Sequence, residues 1–420
     1  MTAARLSTAR ETDKASGRAP ADFMATRNLR RCLPVGFAMT FPDILSTVCG
    51  VGLLGLVAYD VYATILHSRA RAGPIGENLN RGVWWVVRGL AFRFSRSRRH
   101  LILNAVGPLL LPSLVGTFVL FLMLGYALIY WPHMPGAFNV DEHARTPSWI
   151  EALYFSGITL TTLGYGDIAP RATSMRLVAL SEASAGFAFI SLAVTYLLTV
   201  TNALERKRTV ALSFYHQAEQ GADAAGFLRH HFRRGEFQGL ESVFASAARD
   251  LQSLLESHVE HPVIHYFHPV EVHKSLPRML FLVLEIRSVM RCCLDREVYA
   301  EICEHPEAET LEETARYVLR QLSAFLNLRV DTADELPAET PETEFPRWFR
   351  RFDQTMRRFE AAGIRTRTDV AAGRRQYVKN RLEWERQLGA FAAFTGYDWD
   401  EITGDRDLQE AEDHPEEAVP

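Results

Sequence analysis

The stretch TTLGYGD at residues 161–167 lies between two long apolar segments and is too polar and too rich in glycine to belong to either. Gly164 and Gly166 can take a positive φ without a Cβ clash, so they can alternate with residues that carry side chains. Such an alternation turns the backbone carbonyls of residues 162–165 the same way, and rings of carbonyl oxygens can replace the hydration shell of a cation. The hydroxyl of Thr162 would add an inner ring. The stretch therefore predicts an ion-coordinating filter.

Apolar and charged residues are distributed unevenly along the 420-residue chain. Its 48% hydrophobic content and net charge of -4 are, on average, those of an ordinary globular protein. Apolar residues are nevertheless concentrated before about residue 205, and charges crowd the remainder. This profile is typical of a membrane half joined to a soluble half. The five cysteines show no spacing typical of a disulfide framework or of a zinc site.

Three segments are apolar and long enough to cross the ~30 Å hydrocarbon layer as helices, namely residues 44–66, 109–131 and 175–202. Eight arginines and a single acid between residues 67 and 100 place this linker in the cytoplasm, where it is predicted to form an amphipathic helix on the membrane surface. The charged run at residues 205–208 likewise places the end of the third segment in the cytoplasm.

The first segment poses two questions, one of topology and one of charge. If the first segment enters the membrane from outside, the arginine-rich residues 1–40 are extracytoplasmic. That location contradicts the same charge rule, so the rule favours a shorter N-terminus or a first helix that does not span the membrane. Asp60 is the single charge inside the segment. It is predicted to pair at the interface with Arg69 or Arg71 or, as the weaker alternative, to form an ion or proton site.

A short helix is predicted directly before the filter. Residues 148–151 match the capping box S-x-x-E, so a helix should begin at Ser148 and end near Leu160, with Glu151 as the capping glutamate. About three turns are too few to cross a bilayer but fit a re-entrant pore helix. The partially negative C-terminal end of that helix would face the ion cavity and favour a cation there.

Residues 162–167 resemble the filter signature T-x-G-Y-G-D of the tetrameric potassium-channel superfamily, with Leu163 where valine or isoleucine is commoner. The order of helix, capped pore helix, filter and inner helix extends the resemblance over residues 100–206, as in a prokaryotic-type channel with a two-transmembrane pore module and a single pore loop. One filter copy per chain means that four chains must close the ring, so a homotetramer is expected. The resemblance implies that potassium is bound by Thr162, Leu163, Gly164, Tyr165 and Gly166.

Five further residues are predicted to support the filter or to move the inner helix. Glu182 either faces the cavity and attracts cations or, as we prefer, lies behind the filter and bonds to pore-helix groups such as Thr159 or Thr161. Gly186 lies 20 residues after Gly166, where channels of this family commonly have a bending glycine, and it is either a gating hinge or a point of close helix packing. The other expected filter supports are Thr161, Asp167 and Glu151.

Beyond the pore, the chain has the periodicity of a helical domain. Apolar residues recur at helical spacing in residues 239–257, 276–294, 311–327 and 375–394. No dinucleotide-binding glycine motif and no cyclic-nucleotide-binding strand pattern is visible, so no small-molecule ligand is identified. Four histidines lie at positions 258, 261, 265 and 268. Surface or packing roles are the preferred interpretation for them. Zinc binding and proton sensing are the weaker alternatives.

The sequence thus predicts an all-α membrane protein in which a potassium-channel pore module is joined to one extra N-terminal transmembrane helix and a helical cytoplasmic domain. The predicted parts are a disordered tail (1–40), a transmembrane helix with a basic linker (41–100), the pore domain (101–206), the helical cytoplasmic domain (207–403) and an acidic disordered tail (404–420).

The expected function is passive, potassium-selective conduction that an unidentified signal gates through the cytoplasmic domain. A weakly selective cation channel and a non-conducting membrane sensor are the alternatives. No enzyme activity, no cofactor and no nucleic-acid partner is expected. Potassium is the expected permeant species, and membrane lipid is an expected partner. The expected location is the plasma membrane, as a bacterial multi-pass inner-membrane protein with a cytoplasmic C-terminus.

Overall fold

Helices dominate the computed structural model, which describes residues 40–66, 73–140, 148–218, 223–328 and 346–404. The predicted all-α class is confirmed. In chain order, the helices of the membrane half are α1 (Phe41–Val61), α2 (Pro74–Ala91), α3 (Arg96–Tyr130), α4 (Met134–Ala137), α5 (Trp149–Leu160) and α6 (Thr173–Gln217).

Three helical stretches are long and apolar enough to cross a membrane, namely Phe41–Ile65, Arg96–His133 and Thr173–Gln217. They contain the second and third predicted segments and all of the first except residue 66, and the second and third are much longer than predicted. The α3 helix begins at Arg96 because its first turns pack on helices of the C-terminal half, and α6 runs on without a break to Gln217. With a rise of about 1.5 Å per residue, α6 is more than twice as long as the hydrocarbon layer is thick. The inner helix is therefore longer than a membrane span requires.

The surface helix α2 is anchored to α1 by a single buried carboxylate. Asp60 Oδ2 accepts a hydrogen bond from the Ile75 backbone N–H at 2.5 Å, and its Oδ1 accepts from the Thr64 hydroxyl at 3.2 Å. The first N–H groups of a helix lack intrahelical partners, so Asp60 caps the N-terminus of α2 from another helix. Its predicted partners Arg69 and Arg71 lie outside the described residues. The charge that seemed isolated in the first span thus fixes the start of the next helix.

A short hairpin joins the outer loop to the chain that follows the filter. Strands β1 (Phe138–Val140) and β2 (Ile168–Pro170) pair antiparallel, with Phe138 opposite Pro170. Behind the hairpin, Tyr130, Phe138 and Phe155 meet edge to face, with ring centroids 5.0 to 5.7 Å apart. This aromatic cluster packs the hairpin and α5 on the end of α3.

The C-terminal half is built around one helix, α9 (Leu276–Cys293), which is buried at every residue except Arg291. It covers the predicted helical segment 276–294 almost completely, whereas residues 375–394 form two helices instead of one. Around α9 lie α7 (Ala224–His231), the hairpin of β3 (Phe232–Arg233) and β4 (Glu236–Phe237), α8 (Leu240–Glu260), α10 (Ala300–Cys303), α11 (Pro306–Phe325), α12 (Pro346–Ala361), α13 (Val370–Leu382), α14 (Glu385–Thr395) and α15 (Trp399–Thr403).

A buried ion network accounts for the charges that interrupt α9. Glu285 lies 3.1 Å from the Arg351 guanidinium and 3.2 Å from that of Arg381, and it also accepts a hydrogen bond from the Tyr377 hydroxyl. A buried carboxylate is tolerated when it is paired and hydrogen-bonded in this way. The network joins α9, α12 and α13 into one core.

Candidate ion pore

The pore helix α5 begins as the sequence predicts. Both contacts of the capping box are formed, since the Ser148 side chain accepts from the third backbone N–H of the helix and the Glu151 carboxylate accepts from the Ser148 N–H. The helix ends at Leu160, where the filter begins. Glu151 therefore contacts the start of α5 and not the filter itself, so any support it gives the filter acts through the helix.

The sign of the backbone φ angle alternates along residues 162–166. Thr162, Gly164 and Gly166 have φ values of 58°, 52° and 86°, whereas Leu163 and Tyr165 between them do not have positive φ. Glycine adopts this conformation freely, but for a β-branched residue it is a genuine outlier. Sequence reasoning anticipated the two glycines and missed Thr162, for which no residue-type signal exists.

The pore helix fixes the direction of the filter carbonyls. The backbone N–H groups of Leu163 and Gly164 both donate to the carbonyl of Ile158, at 2.8 and 3.2 Å. In a planar trans peptide the carbonyl of one residue points opposite to the N–H of the next. The carbonyls of Thr162 and Leu163 must therefore point away from α5, on the same side of the chain. Two successive carbonyl oxygens therefore face the side of the filter opposite α5.

Side-chain contacts tie both ends of the filter to α5. The Thr161 hydroxyl donates to the Gly157 carbonyl at 2.6 Å, and the Tyr154 hydroxyl donates to Asp167 Oδ2 at 2.9 Å. Tyr154 was not among the predicted site residues, although its position on α5 one turn after Ile150 could have indicated a face shared with the filter. Thr161 and Asp167 are thus both held by the pore helix.

The filter is exposed on the isolated chain even though the helix behind it is buried. Leu163 is 61% and Tyr165 70% exposed, and a Cβ added at Gly164 or Gly166 would meet no atom within 4 Å. On α6 a series of large apolar side chains is also exposed, including Leu180, Phe187, Ile190, Val194 and Leu198. Such a surface is typical of a site that other chains or lipid would cover.

Glu182 on α6 lies behind the pore helix. Its carboxylate accepts from the Tyr130 hydroxyl at 2.7 Å and from the Ser156 hydroxyl at 2.5 Å, and the side chain is fully buried. Among the described residues no basic side chain pairs with it. The predicted contact with the pore helix is made through Ser156 and not through Thr159 or Thr161, because these hydroxyls lie at the filter end of α5 whereas Ser156 lies on the face toward α6. The carboxylate therefore joins α3, α5 and α6.

Gly186 lies against the C-terminal end of the pore helix. A Cβ built on Gly186 would lie 2.1 Å from the Leu160 carbonyl oxygen, a distance that no side chain tolerates. Close packing alone thus requires glycine here, and α6 continues through this position as a regular helix. The hinge role stays a prediction.

At its N-terminal end, the first turn of α3 is held by the α14–α15 region. Arg99 Nη2 lies 2.7 Å from Asp398 Oδ2, Arg96 Nη1 lies 2.9 Å from Asp400 Oδ2, and His100 Nε2 lies 3.0 Å from Glu401 Oε1. These contacts connect the outer helix of the pore directly to the end of the helical domain. The sequence indicates basic residues here but not their acidic partners some 300 residues later.

The four histidines on and after α8 are packing residues, and the ring centroids of His258 and His265 lie 5.0 Å apart. His258 Nδ1 bonds to the Leu254 carbonyl at 2.7 Å and His268 Nδ1 to the Thr395 carbonyl at 2.8 Å. Burial lowers the pKa of His265 to about 3, with the charge of Lys207 acting in the same direction. Across the described residues, no three His, Cys, Asp or Glu side chains are arranged to hold a metal ion.

Comparison with known proteins places this geometry in a family. Residues 115–202 match the family model described as "Ion channel". The chain is 28% identical to the uncharacterized membrane protein YdjJ of Bacillus subtilis (strain 168) over 228 residues, which are 54% of this chain and 64% of that relative. It is 38% identical to the two pore potassium channel b of Oryza sativa subsp. japonica over 92 residues, 20% of this chain and 24% of that protein.

A third relative is small, and the match covers most of its length. The potassium channel protein kcv of Paramecium bursaria Chlorella virus 1 is 33% identical over 67 residues, which are 15% of this chain and 70% of the viral protein. The chain thus spans 64% of the length of the Bacillus relative and 24% of that of the rice channel. No solved structure matches the chain. With the ion-channel family match over the two pore helices and the filter, and with most of the viral potassium channel covered, the chain belongs to the potassium-channel superfamily.

Proposed function

We propose that this protein is a potassium-selective channel in which four chains form one pore and residues 162–166 of each chain line the filter. The single observation that carries the proposal is the alternating φ of this stretch, which directs successive carbonyls away from the pore helix. Rings of such carbonyls replace the hydration shell of potassium. A chain carries only one such stretch, so closing the ring takes four copies.

The proposed organisation follows the charge of the chain. The arginine-rich segment before α3 and the basic run after the apolar part of α6 favour a cytoplasmic position for both, and with them for the helical domain and the C-terminus. In a bacterium the membrane would be the inner one. The pore would be the part from 101 to 206 and the gating domain the part from 207 to 403, and movement of that domain would reach the pore through α3 and α6.

Ion flux across a bilayer tests the proposal directly. Purified protein reconstituted in a planar bilayer, with potassium on one side and sodium on the other, should give a current that reverses near the potassium equilibrium potential. A current that reverses near zero would mean a weakly selective pore. Absence of current from a folded tetramer would favour a non-conducting sensor.

The filter assignment has a matched pair of variants. The Cβ added by Gly164→Ala causes no steric clash, since no atom lies within 4 Å of it. The positive φ nevertheless costs an alanine about 1 kcal/mol or more in each of four chains. We expect loss of selectivity or of conduction. Gly116→Ala on α3 also adds a Cβ into open space but has no positive φ, and it should conduct as the wild type. Tyr165→Ala should likewise abolish selectivity, and retained selectivity in either filter variant would contradict the assignment.

A further inference from the structure

Lys207, in the basic run near the end of α6, is a buried cation. The residue is 7% exposed, and its ammonium makes no hydrogen bond and no ion pair with any residue that the structure describes. The neighbouring Arg208 acts on it at short range and repels it. Burying an ammonium without a counter-charge is costly, so such a group either has an anion beside it or gives up its proton.

A cavity of about 20 Å³ lies beside Lys207. Its walls come from α6, the end of α8, the turn that follows α8, the start of α9 and the end of α14. A cavity needs about 10–15 Å³ to hold one water molecule. This cavity therefore has room for one water molecule or one monoatomic ion, and it is too small for a phosphate group.

Three histidine rings place the Lys207 ammonium at this cavity. His258, His265 and His268 all line it, and the charge of Lys207 acts on each of the three rings. Since such an interaction weakens with distance, the ammonium lies near the space that the rings share. The side-chain nitrogens of Lys207 and His265 are absent from the set of fully covered, unpaired atoms in the described residues, so they keep accessible surface.

The electrostatic potential of the cavity wall is positive. Within the described part of the chain, no Asp or Glu lines the cavity. Ser275, Leu276 and Pro277 form part of the wall and are the first residues of the 18-residue helix α9. The N-terminal end of a helix carries a partial positive charge and attracts anions. The ammonium and the helix end therefore both favour an anion in the space between them.

Most of the other polar groups on the wall already have partners. Ser275 caps α9 by accepting from the Arg278 N–H. Four side chains donate to backbone carbonyls, namely His258, His268, Thr395 and Tyr397. His265 has no such contact, and because burial lowers its pKa to about 3, the neutral ring carries one N–H near pH 7. The groups left for a ligand are thus the Lys207 ammonium and the His265 N–H, which are both donors.

We propose that this cavity binds a chloride ion, held by the Lys207 ammonium, the His265 N–H and the N-terminus of α9. A monoatomic anion fits the volume, accepts hydrogen bonds from both side chains and offsets the buried charge. A water molecule could accept the same bonds but would leave the charge uncompensated.

The proposed site joins the inner pore helix to the helical domain that follows it. Lys207 belongs to α6, whereas His265 and α9 belong to that domain. A bound ion would therefore stabilise the arrangement in which these elements lie together. An effect of chloride on opening of the pore is a further step that rests on the proposed channel function. Binding itself does not depend on conduction.

Thermal unfolding of the purified full-length protein tests the site. The protein is kept in potassium gluconate, and gluconate is replaced stepwise by chloride at constant ionic strength and constant potassium. We expect the midpoint to rise along a saturable curve by about 2 °C or more. Lys207→Met should remove this dependence. Because the variant lacks the buried charge, it should be at least as stable as the wild type in gluconate, which guards against a failure to fold.

A matched lysine and a heavier halide complete the test. Lys379→Met makes the same change at an exposed lysine and should keep the wild-type dependence on chloride. Crystals grown in bromide should show an anomalous-scattering peak in the cavity of the wild type and none there in Lys207→Met.

Three results would overturn the site, namely a midpoint that does not depend on chloride, a dependence that Lys207→Met retains, or a wild-type cavity without bromide. Potassium current is measured separately. A protein that binds chloride but carries no current would overturn the channel function and leave the site standing.

Discussion

His100 Nδ1, in the first turns of the outer pore helix, lies 2.8 Å from His268 Nε2 of the C-terminal helical domain. The two rings are stacked at an interplanar angle of 8° and are both buried. At the far ends of the pair, His268 Nδ1 faces the Thr395 carbonyl and His100 Nε2 faces the Glu401 carboxylate, which can only accept. The two rings thus join the first turns of α3 to α14 and α15.

This pair should contribute measurably to docking of the cytoplasmic domain on the pore. We expect His100→Ala and His268→Ala each to lower the free energy of unfolding by about 1–3 kcal/mol and the double variant to cost less than the sum of the two, since each single change leaves the other ring unpaired. Thermal unfolding of the detergent-solubilised protein measures all three. His230→Ala, at an exposed histidine, is the control. Additive effects would mean that the rings do not interact.

Acidification should destabilise the helical domain before its carboxylates are protonated. Burial lowers the pKa of His265 and of His268 to about 3 and holds the pKa of His258 well below its ordinary value. Below about pH 6.5 the unfolded chain binds protons that the folded chain excludes, so stability is fully present above that pH and is lost as pH falls toward 3. Each such histidine contributes a slope of up to about 1.4 kcal/mol per pH unit.

The carboxylates at the same junction act in a lower pH range. Burial opposes ionisation of Asp398 and Glu401, but hydrogen bonds from Arg99 and His100 hold the pKa of each carboxyl below its ordinary value. Their contribution is therefore lost only below about pH 4. Melting curves between pH 7.5 and 5 should show a falling midpoint that His265→Gln makes shallower. A midpoint that is constant or rises on acidification would contradict the assignment.

Removal of the Tyr154 hydroxyl should loosen the outer end of the filter. The bond from Tyr154 to Asp167 is worth about 1 kcal/mol, so Tyr154→Phe should shift the balance between conducting and collapsed filters by about fivefold in each chain. Single-channel recordings should show shorter openings with unchanged selectivity. Tyr317→Phe, at an exposed cytoplasmic tyrosine, serves as the control. Unchanged open times would mean that the bond does not hold the filter.

Alanine substitutions at Gly186 and Gly116 distinguish close packing from hinge motion as the role of Gly186. Gly186→Ala places a Cβ against the Leu160 carbonyl and should destabilise the assembled protein by about 1–3 kcal/mol per chain, whereas Gly116→Ala should be neutral or slightly stabilising. Thermal stability and gating rates are measured together on both. Slower gating of a Gly186→Ala variant that is as stable as the wild type would support the hinge instead.

The position of Glu182 leads to a test with a neutral isostere. Glu182→Gln keeps a hydrogen-bonding group between Tyr130 and Ser156 and should retain assembly and conductance, because Ser156 can then donate to the Met123 carbonyl, 3.0 Å away. Glu182→Leu leaves two buried hydroxyls with a lost partner and should cost about 1–3 kcal/mol. Heat-resistance of the tetramer on a gel reports stability. A lower conductance in the Gln variant at unchanged stability would mean that the carboxylate faces the ion path.

Local features of the pore could be predicted because their signals are short-range. The capping box at Ser148 and Glu151, the length of α5 and the two filter glycines depend on residues within a few positions of one another. Membrane spans depend only on apolar length, which composition records directly. Predicted and observed helices differ mainly at their ends. The division of the chain into domains and the roles of the site residues stay predictions.

Contacts between distant segments were beyond the reach of the sequence. Asp60 caps a helix that begins 14 residues later, Glu182 bonds to Tyr130 at a separation of 52 residues, and Arg96 meets Asp400 at a separation of 304. Nothing in residue type distinguishes these partners from other hydroxyls and carboxylates of the chain, so only packing selects them.

The sequence by itself predicted an ion path at residues 162–166, because glycine at every second position permits a backbone that few other sequences permit. Tertiary structure decided how that backbone is held. The Ile158 carbonyl takes the inward N–H groups, Tyr154 holds Asp167, and Thr162 adopts a positive φ that its own side chain disfavours. Local chemistry makes the filter conformation possible, and the pore helix packed behind it makes the conformation stable.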